Sequence, residues 1–171
     1  MMLSFSSMIK AEHVFNAVEE QLQLQHLTIT KEDKGRPWGG FFIIEEILAA
    51  RFMDIYFPQL NAKELLNNNR LSPKILIVAP HKRLSWQYHH RRAEYWKLIG
   101  GSAAVATSME DTEKETVHMH PGEIIHLKKG ERHRLIGLDA WGIVAEIWQH
   151  TDAHHPSDED DIVRLQDDFG R

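Results

Sequence analysis

A chain of 171 residues is long enough for one domain with a full core and short for two. Its net charge of -5 offers no basic excess for a phosphate backbone, which argues against nucleic-acid binding as its main task. The absence of cysteine removes disulfides, thiolate metal sites and thiol nucleophiles, whereas 12 histidines leave a nitrogen-and-oxygen metal site open.

From the N-terminus, Ile9 to Leu27 predicts an amphipathic helix. Val14, Phe15, Val18, Leu22 and Leu24 fall at roughly helical spacing, with Glu19, Glu20, Gln21 and Gln23 among them. Lys34 to Gly40 is a turn-rich approach to a strand over Phe41 to Ile44. Two more helices are expected, Ile47 to Phe57, stopped by Pro58, and Ala62 to Asn67. After Pro73 the texture becomes β-rich. Short strands are expected over Lys74 to Val78, Leu84 to His90, Glu94 to Ile99, Ala103 to Ser108, Glu115 to His118, Glu123 to Leu127, His133 to Leu138 and Ile143 to Gln149. Breaks at Gly, Pro and charged turns favour an antiparallel sandwich or closed barrel over alternating strand and helix. The chain therefore reads as one mainly β domain: residues 1–72 form a helical extension with an added strand, packed on a barrel over residues 73–171. Ser157 to Arg171 is an acidic, charged tail, a composition that usually marks a solvated end. No apolar run approaches a membrane span, and Met1 to Ser7 lacks the layout of a secretory signal, so the expected location is cytoplasmic.

The densest chemistry lies in Leu84 to Trp96. Residues two apart on a strand share a face, so Gln87 and His89 point one way and Tyr88 and His90 the other. Glu94 follows His89 by five residues, an odd offset that a turn over Arg91 to Ala93 could correct. A second stretch, Pro121 to His133, reads as turn, strand, tight turn at Gly130, then a strand beginning near His133. Imidazole, carboxylate and amide oxygen suit a borderline or hard divalent ion.

These residues resemble the two sequence boxes of the cupins. Gln87-x-His89, four residues, Glu94, six residues and Gly101 match the first box, and Gly122, five residues, Lys128-x-Gly130-x2-His133 match the second. His81, Gln87, Lys128 and Gly137 stand where that pattern has glycine, histidine, proline and asparagine. Within the cupins the chain is similar to the C-terminal domain of type II phosphomannose isomerases. It shares their Gln-x-His-His-x-Arg-x-Glu-x-Trp at Gln87 to Trp96, their Arg-Pro-Trp-Gly at Arg36 to Gly39, and an ending like Glu159 to Arg164 with Asp168 to Arg171. The resemblance implies a double-stranded β-helix (jelly-roll) barrel with N-terminal helices. It implies one divalent metal, zinc first and manganese, iron, cobalt or nickel as alternatives, on Gln87, His89, Glu94 and His133. It also implies isomerisation of mannose 6-phosphate and fructose 6-phosphate. The alternatives are a non-catalytic metal-binding cupin that binds or senses sugars, and an isomerase of unphosphorylated sugars. No Gly-rich phosphate loop is present, so no guanylyltransferase activity is expected.

Arg92 and Glu146 are the expected catalytic residues, Arg92 as a phosphate or oxyanion contact and Glu146 as the base, with a histidine as the alternative base. Arg164 and Arg171 are expected to return toward the site or lock the barrel. Lys128, Arg132 and Arg134 read as solvated, the five tryptophans as core or rim, and His118, His120, His154 and His155 as surface groups. A small-molecule sugar phosphate is the expected partner, with a homodimer as the expected assembly if an edge strand needs covering.

Overall fold

The computed structural model describes residues 5–171. The stretch read for a secretory signal begins in residues 1–4, which lie outside the described residues. Helix α1 (Ala11–Leu24) is followed by the hairpin β1 (Ile29–Arg36) and β2 (Gly39–Ile44). A 3-10 turn (Glu46–Leu48) leads into α2 (Ala49–Tyr56), and α3 (Ala62–Asn68) precedes β3 (Leu71–Val78). The remaining strands are β4 (Trp86–Tyr88), β5 (Arg92–Ser108), β6 (Val117–His118), β7 (Ile124–Leu127), β8 (Arg132–His150) and β9 (Val163–Gln166). Pairing is antiparallel in the order β1-β2-β3-β8-β4-β9, and β5 joins β6, β7 and β8 to complete the jelly-roll barrel. None of the described helices is long and apolar enough to cross a membrane.

Strand parity divides the core in two. Phe42, Ile44, Ile75, Ile77, Ile143 and Ile147 face outward and are covered by Val14, Phe15, Val18 and Leu22 of α1 and by Phe52 and Met53 of α2. Their neighbours Phe41, Leu76, Val78 and Val144 face inward, against Trp96, Leu98, Val105, Leu127 and Leu135. Because the helices cover the outer face, β3 and β8 are apolar on both sides. That is why Ile75 to Val78 reads as a continuous apolar run rather than an alternation. The same parity sends Lys74 and Glu146, a register pair, into the barrel.

Several boundaries differ from expectation. The two strands expected over Glu94 to Ile99 and Ala103 to Ser108 are one strand, β5, and those over His133 to Leu138 and Ile143 to Gln149 are one strand, β8. Gly100 and Gly101 do not end β5; irregularities at Leu98/Gly100 and Gly101/Ala103 bend it around the barrel. Gly101 adopts φ +65, and a Cβ there would lie 1.6 Å from the Trp141 carbonyl oxygen. Strand β1 was not expected, because its sequence Ile-Thr-Lys-Glu-Asp-Lys-Gly-Arg has no buried side chain and marks a charged sheet edge. Leu24 is off the buried face of α1, at 76% exposure. The strand expected from Leu84 shortens to three residues, and the tail is not a solvated end: β9 lies within it and pairs with β4.

Candidate metal centre

Strand β4 sets Gln87 directly opposite His133 of β8. His89 lies just beyond β4, and Glu94 sits near the start of β5. His89, Glu94 and His133 each offer a ligand atom, all within 4.8 Å of one another, and all three side chains are buried. The turn at His90 and Arg91 absorbs the odd offset, while His90 itself faces solvent.

His89 Nε2 lies 3.3 Å from Glu94 Oε1, and His133 Nε2 lies 3.5 Å from Glu94 Oε2. Ligand atoms at about 2.1 Å from a tetrahedral ion stand about 3.4 Å apart, so the spacing fits. The tautomers fit as well. His89 Nδ1 is 2.6 Å from the Asp161 carbonyl and His133 Nδ1 is 2.9 Å from the Glu131 carbonyl. A carbonyl only accepts, so each Nδ1 carries a proton; the neutral His89 ring then keeps its lone pair on Nε2, where Arg92 Nη2 donates to it at 3.1 Å in the place an ion would take. His133 Nε2 is buried without a hydrogen-bond partner, the arrangement a coordinated ion would satisfy. Gln87 Oε1 accepts from Ser85 Oγ at 2.5 Å and retains a second lone pair.

The electrostatics keep His89 and Glu94 in ligating form. Burial pushes His89 down to about 3 against the pull of Glu94, so the ring is neutral at physiological pH. Burial works to raise the Glu94 pKa, but neighbouring positive charge, that of the Arg92 guanidinium first, outweighs it and holds the carboxylate ionised.

Arg92 is buried beside them. Its Nε donates to Glu94 Oε1 at 2.7 Å, Nη1 to Ser157 Oγ at 2.9 Å and to the Asp158 carbonyl at 3.1 Å, and Nη2 faces His89 Nε2 at 3.1 Å. Its guanidinium lies 3.6 Å over the Trp148 ring. Those contacts use most of its five N–H groups.

A cleft opens onto Gln87, Arg92 and Glu94 between the aromatic walls Trp38, Phe41, Trp96 and Trp148. Arg36, Lys74, Arg164 and Arg171 also line it, so both tail arginines come back to the site. Glu146 lines the same cleft at 3% exposure. Its Oε1 accepts from Trp96 Nε1 at 2.9 Å, and its Oε2 is buried without a hydrogen-bond partner. Burial, and then the charge of Glu94, push its carboxyl up to about 8. Lys74 and Arg36 were not assigned to the site from sequence; the signals were the inward parity of Lys74 on a strand apolar on both faces and the shared motif that begins at Arg36. Ser157 and Asp161 were missed too, although Asp161 lies inside the Glu159 to Arg164 motif and Ser157 just before it. Arg134, expected to be solvated, is fully buried and bonded to Glu113 and Gln166. His118, His120, His154 and His155 are exposed, and among the described residues they form no further metal-holding group.

The profile of the family described as "Mannose-6-phosphate isomerase C-terminal" matches residues 44–167. The chain is 29% identical over 133 residues to a mannose-1-phosphate guanylyltransferase of Sinorhizobium fredii, covering 78% of this chain and 20% of that protein. It is 30% identical over 136 residues to the xanthan biosynthesis protein XanB of Xanthomonas campestris, covering 80% and 23%. The chain thus spans about a fifth to a quarter of these relatives. Among solved structures, a variant of the Bacillus subtilis oxalate decarboxylase OxdC superposes with TM-score 0.54 at 15% identity, covering 80% of this chain and 30% of that one. The capsular polysaccharide assembling protein CapF of Staphylococcus aureus gives 0.50 at 16%, covering 82% and 34%. These likenesses establish the cupin fold and no more.

Proposed function

Since this chain belongs to the mannose-6-phosphate isomerase C-terminal family, we propose that it is a metal-dependent aldose–ketose isomerase of a sugar phosphate, with mannose 6-phosphate and fructose 6-phosphate as its substrates. One observation carries this reading. Gln87 and Glu94, which with the buried His89 and His133 supply the ligand set, line one cleft with a carboxyl raised to about 8 and the cations Arg36, Lys74, Arg164 and Arg171. Guanylyl transfer is named for relatives of which this chain spans only about a fifth to a quarter, and we extend none of it to this chain.

In this reading Gln87, His89, Glu94 and His133 hold a divalent ion, zinc first, which supplies Lewis-acid polarisation of the sugar carbonyl. Lys74, Arg36, Arg164 and Arg171 receive the phosphate at the cleft mouth, where cationic donors pair with its oxygens. Arg92, with most donors already engaged, sits deeper and meets negative charge that develops on the sugar oxygens. Glu146 Oε2 takes the proton from C2 of the aldose and returns it to C1, while the O2 hydroxyl proton passes to O1 as the carbonyl shifts to C2; a carboxyl with a pKa near the working pH both accepts and releases a proton efficiently. The walls of Trp38, Trp96 and Trp148 exclude water from the exchange.

The test is a coupled assay of zinc-loaded protein on mannose 6-phosphate, following fructose 6-phosphate, beside His89→Ala. Turnover that vanishes in His89→Ala is expected. A metal-loaded wild type that binds sugar phosphate without turning it over would replace this reading with a binding module. Turnover of the unphosphorylated sugar alone would move the substrate.

A further inference from the structure

We infer that Asp161, in the acidic C-terminal segment, is the positioning residue that locks the metal centre, so that this segment is a working part of the site. The inference rests on the metal-centre reading above and goes beyond it to the group that sets ligand geometry.

His89 and Arg92 flank a two-residue turn, His90 and Arg91. The Asp161 carboxylate takes both of its amides: Oδ1 accepts from the His90 amide at 3.0 Å and Oδ2 from the Arg91 amide at 3.0 Å. Its main-chain carbonyl takes the Nδ1 proton of His89 at 2.6 Å. Oδ2 also accepts from Ser157 Oγ at 2.6 Å, and that hydroxyl oxygen in turn accepts from Arg92 Nη1 at 2.9 Å. One buried residue, at 5% exposure, therefore fixes the path of the turn, the tautomer of one ligand and the seat of the arginine that holds another. The segment is itself anchored on both sides. The Ser157 amide donates to His150 Nδ1 at 2.9 Å, and β9 pairs with β4, the strand that carries Gln87. Partners that orient metal-ligating histidines in this way typically change metal affinity about 10- to 100-fold when removed. Sequence alone hides the role, because Glu159, Asp160 and Asp161 look alike and two of the three are exposed.

The variant that isolates the clamp is Asp161→Asn. It keeps shape and main-chain carbonyl but turns one acceptor into an NH2 group facing an amide donor. Cobalt(II) uptake, followed by its visible spectrum, and hydrogen exchange of the His90 and Arg91 amides are measured in Asp161→Asn, in Asp160→Asn and in wild type. Expected for Asp161→Asn are cobalt affinity weakened about 10- to 100-fold and exchange at both amides accelerated about ten-fold or more. Asp160→Asn should match wild type in both. A folded Asp161→Asn with wild-type affinity and exchange overturns the inference, and so does an equal weakening in Asp160→Asn, which would mean bulk charge alone. Should Asp161→Asn not fold, Ser157→Ala is read instead; about three-fold or greater loss of affinity supports the clamp and wild-type behaviour sinks it. A wild type that takes up no cobalt removes the metal reading, while the exchange measurement still decides whether Asp161 holds the turn.

Discussion

Replacing Arg92 with alanine strips the positive charge from a carboxylate that has almost no water to fall back on. Glu94 is 2% exposed and Arg92 5%, and the pair is 2.7 Å apart from Nε to Oε1. Unit charges about 4 Å apart in a medium of effective dielectric about 20 interact by about 4 kcal/mol. Removing one partner of a buried pair costs about 3–5 kcal/mol by experience with other proteins. The contact with Trp148 contributes about 1 kcal/mol more. Urea denaturation at pH 7 with a chelator present should therefore show Arg92→Ala less stable by about 4–6 kcal/mol. The double variant Arg92→Ala/Glu94→Gln should recover about 2–3 kcal/mol of that, because the stranded charge is gone. Saturating zinc should also recover part of the loss in Arg92→Ala, since the ion supplies the missing positive charge to Glu94. Single-variant losses that simply add in the double variant, to within about 0.5 kcal/mol, would refute the reasoning. With zinc bound, Arg92→Ala should lose turnover while keeping the metal.

Glu146→Gln should abolish turnover without releasing metal. It should also reshape the pH dependence of stability. With a folded-state pKa of about 8 against an ordinary 4.5, the folded protein keeps a proton that the unfolded chain has released, so stability falls as pH rises between these values. Glu146→Gln removes that slope: it should match wild type below about pH 4.5 and exceed it near pH 8 by on the order of 3–5 kcal/mol, read by urea titration in chelator. Lys74→Met should raise KM for the sugar phosphate about ten-fold or more with a smaller change in kcat, and weaken competition by inorganic phosphate equally. Equal loss in kcat alone would place Lys74 in the chemistry instead. Gly101→Ala should cost about 3 kcal/mol or more, because its Cβ meets the Trp141 carbonyl at 1.6 Å; Gly122→Ala, at φ +86 with open space around it, should cost about 1–2 kcal/mol.

The candidate ligands were legible in the sequence because the intervals within each cupin box are short. Gln87 and His89 share a strand face, the cupin boxes keep their intervals, and the turn before Glu94 is short enough to infer. Glu146, a carboxylate flanked by apolar residues within Ile143 to Trp148, was likewise expected at the site, because burying it unpaired is costly. What the sequence could not order was everything that depends on long-range pairing. Gly100 and Gly101 read as a stop, yet the register of β5 on β8 carries both strands past their bends, since only the partner strand decides whether a glycine ends a strand or bulges it. The charged strand β1 has no apolar face to announce it, and its hairpin with β2 alone holds it in the sheet. The tail shows the same division most clearly. Its composition reads as a solvated end, and nothing local separates Asp161 from Asp160. Pairing of β9 with β4 draws the segment onto the site, burying one carboxylate on two backbone amides and leaving its neighbour in water. The match to the two cupin boxes pointed to the side chains that could bind an ion; the tertiary structure decided which distant ones hold them there, because hydrogen bonds between residues some seventy positions apart exist only once the barrel has closed.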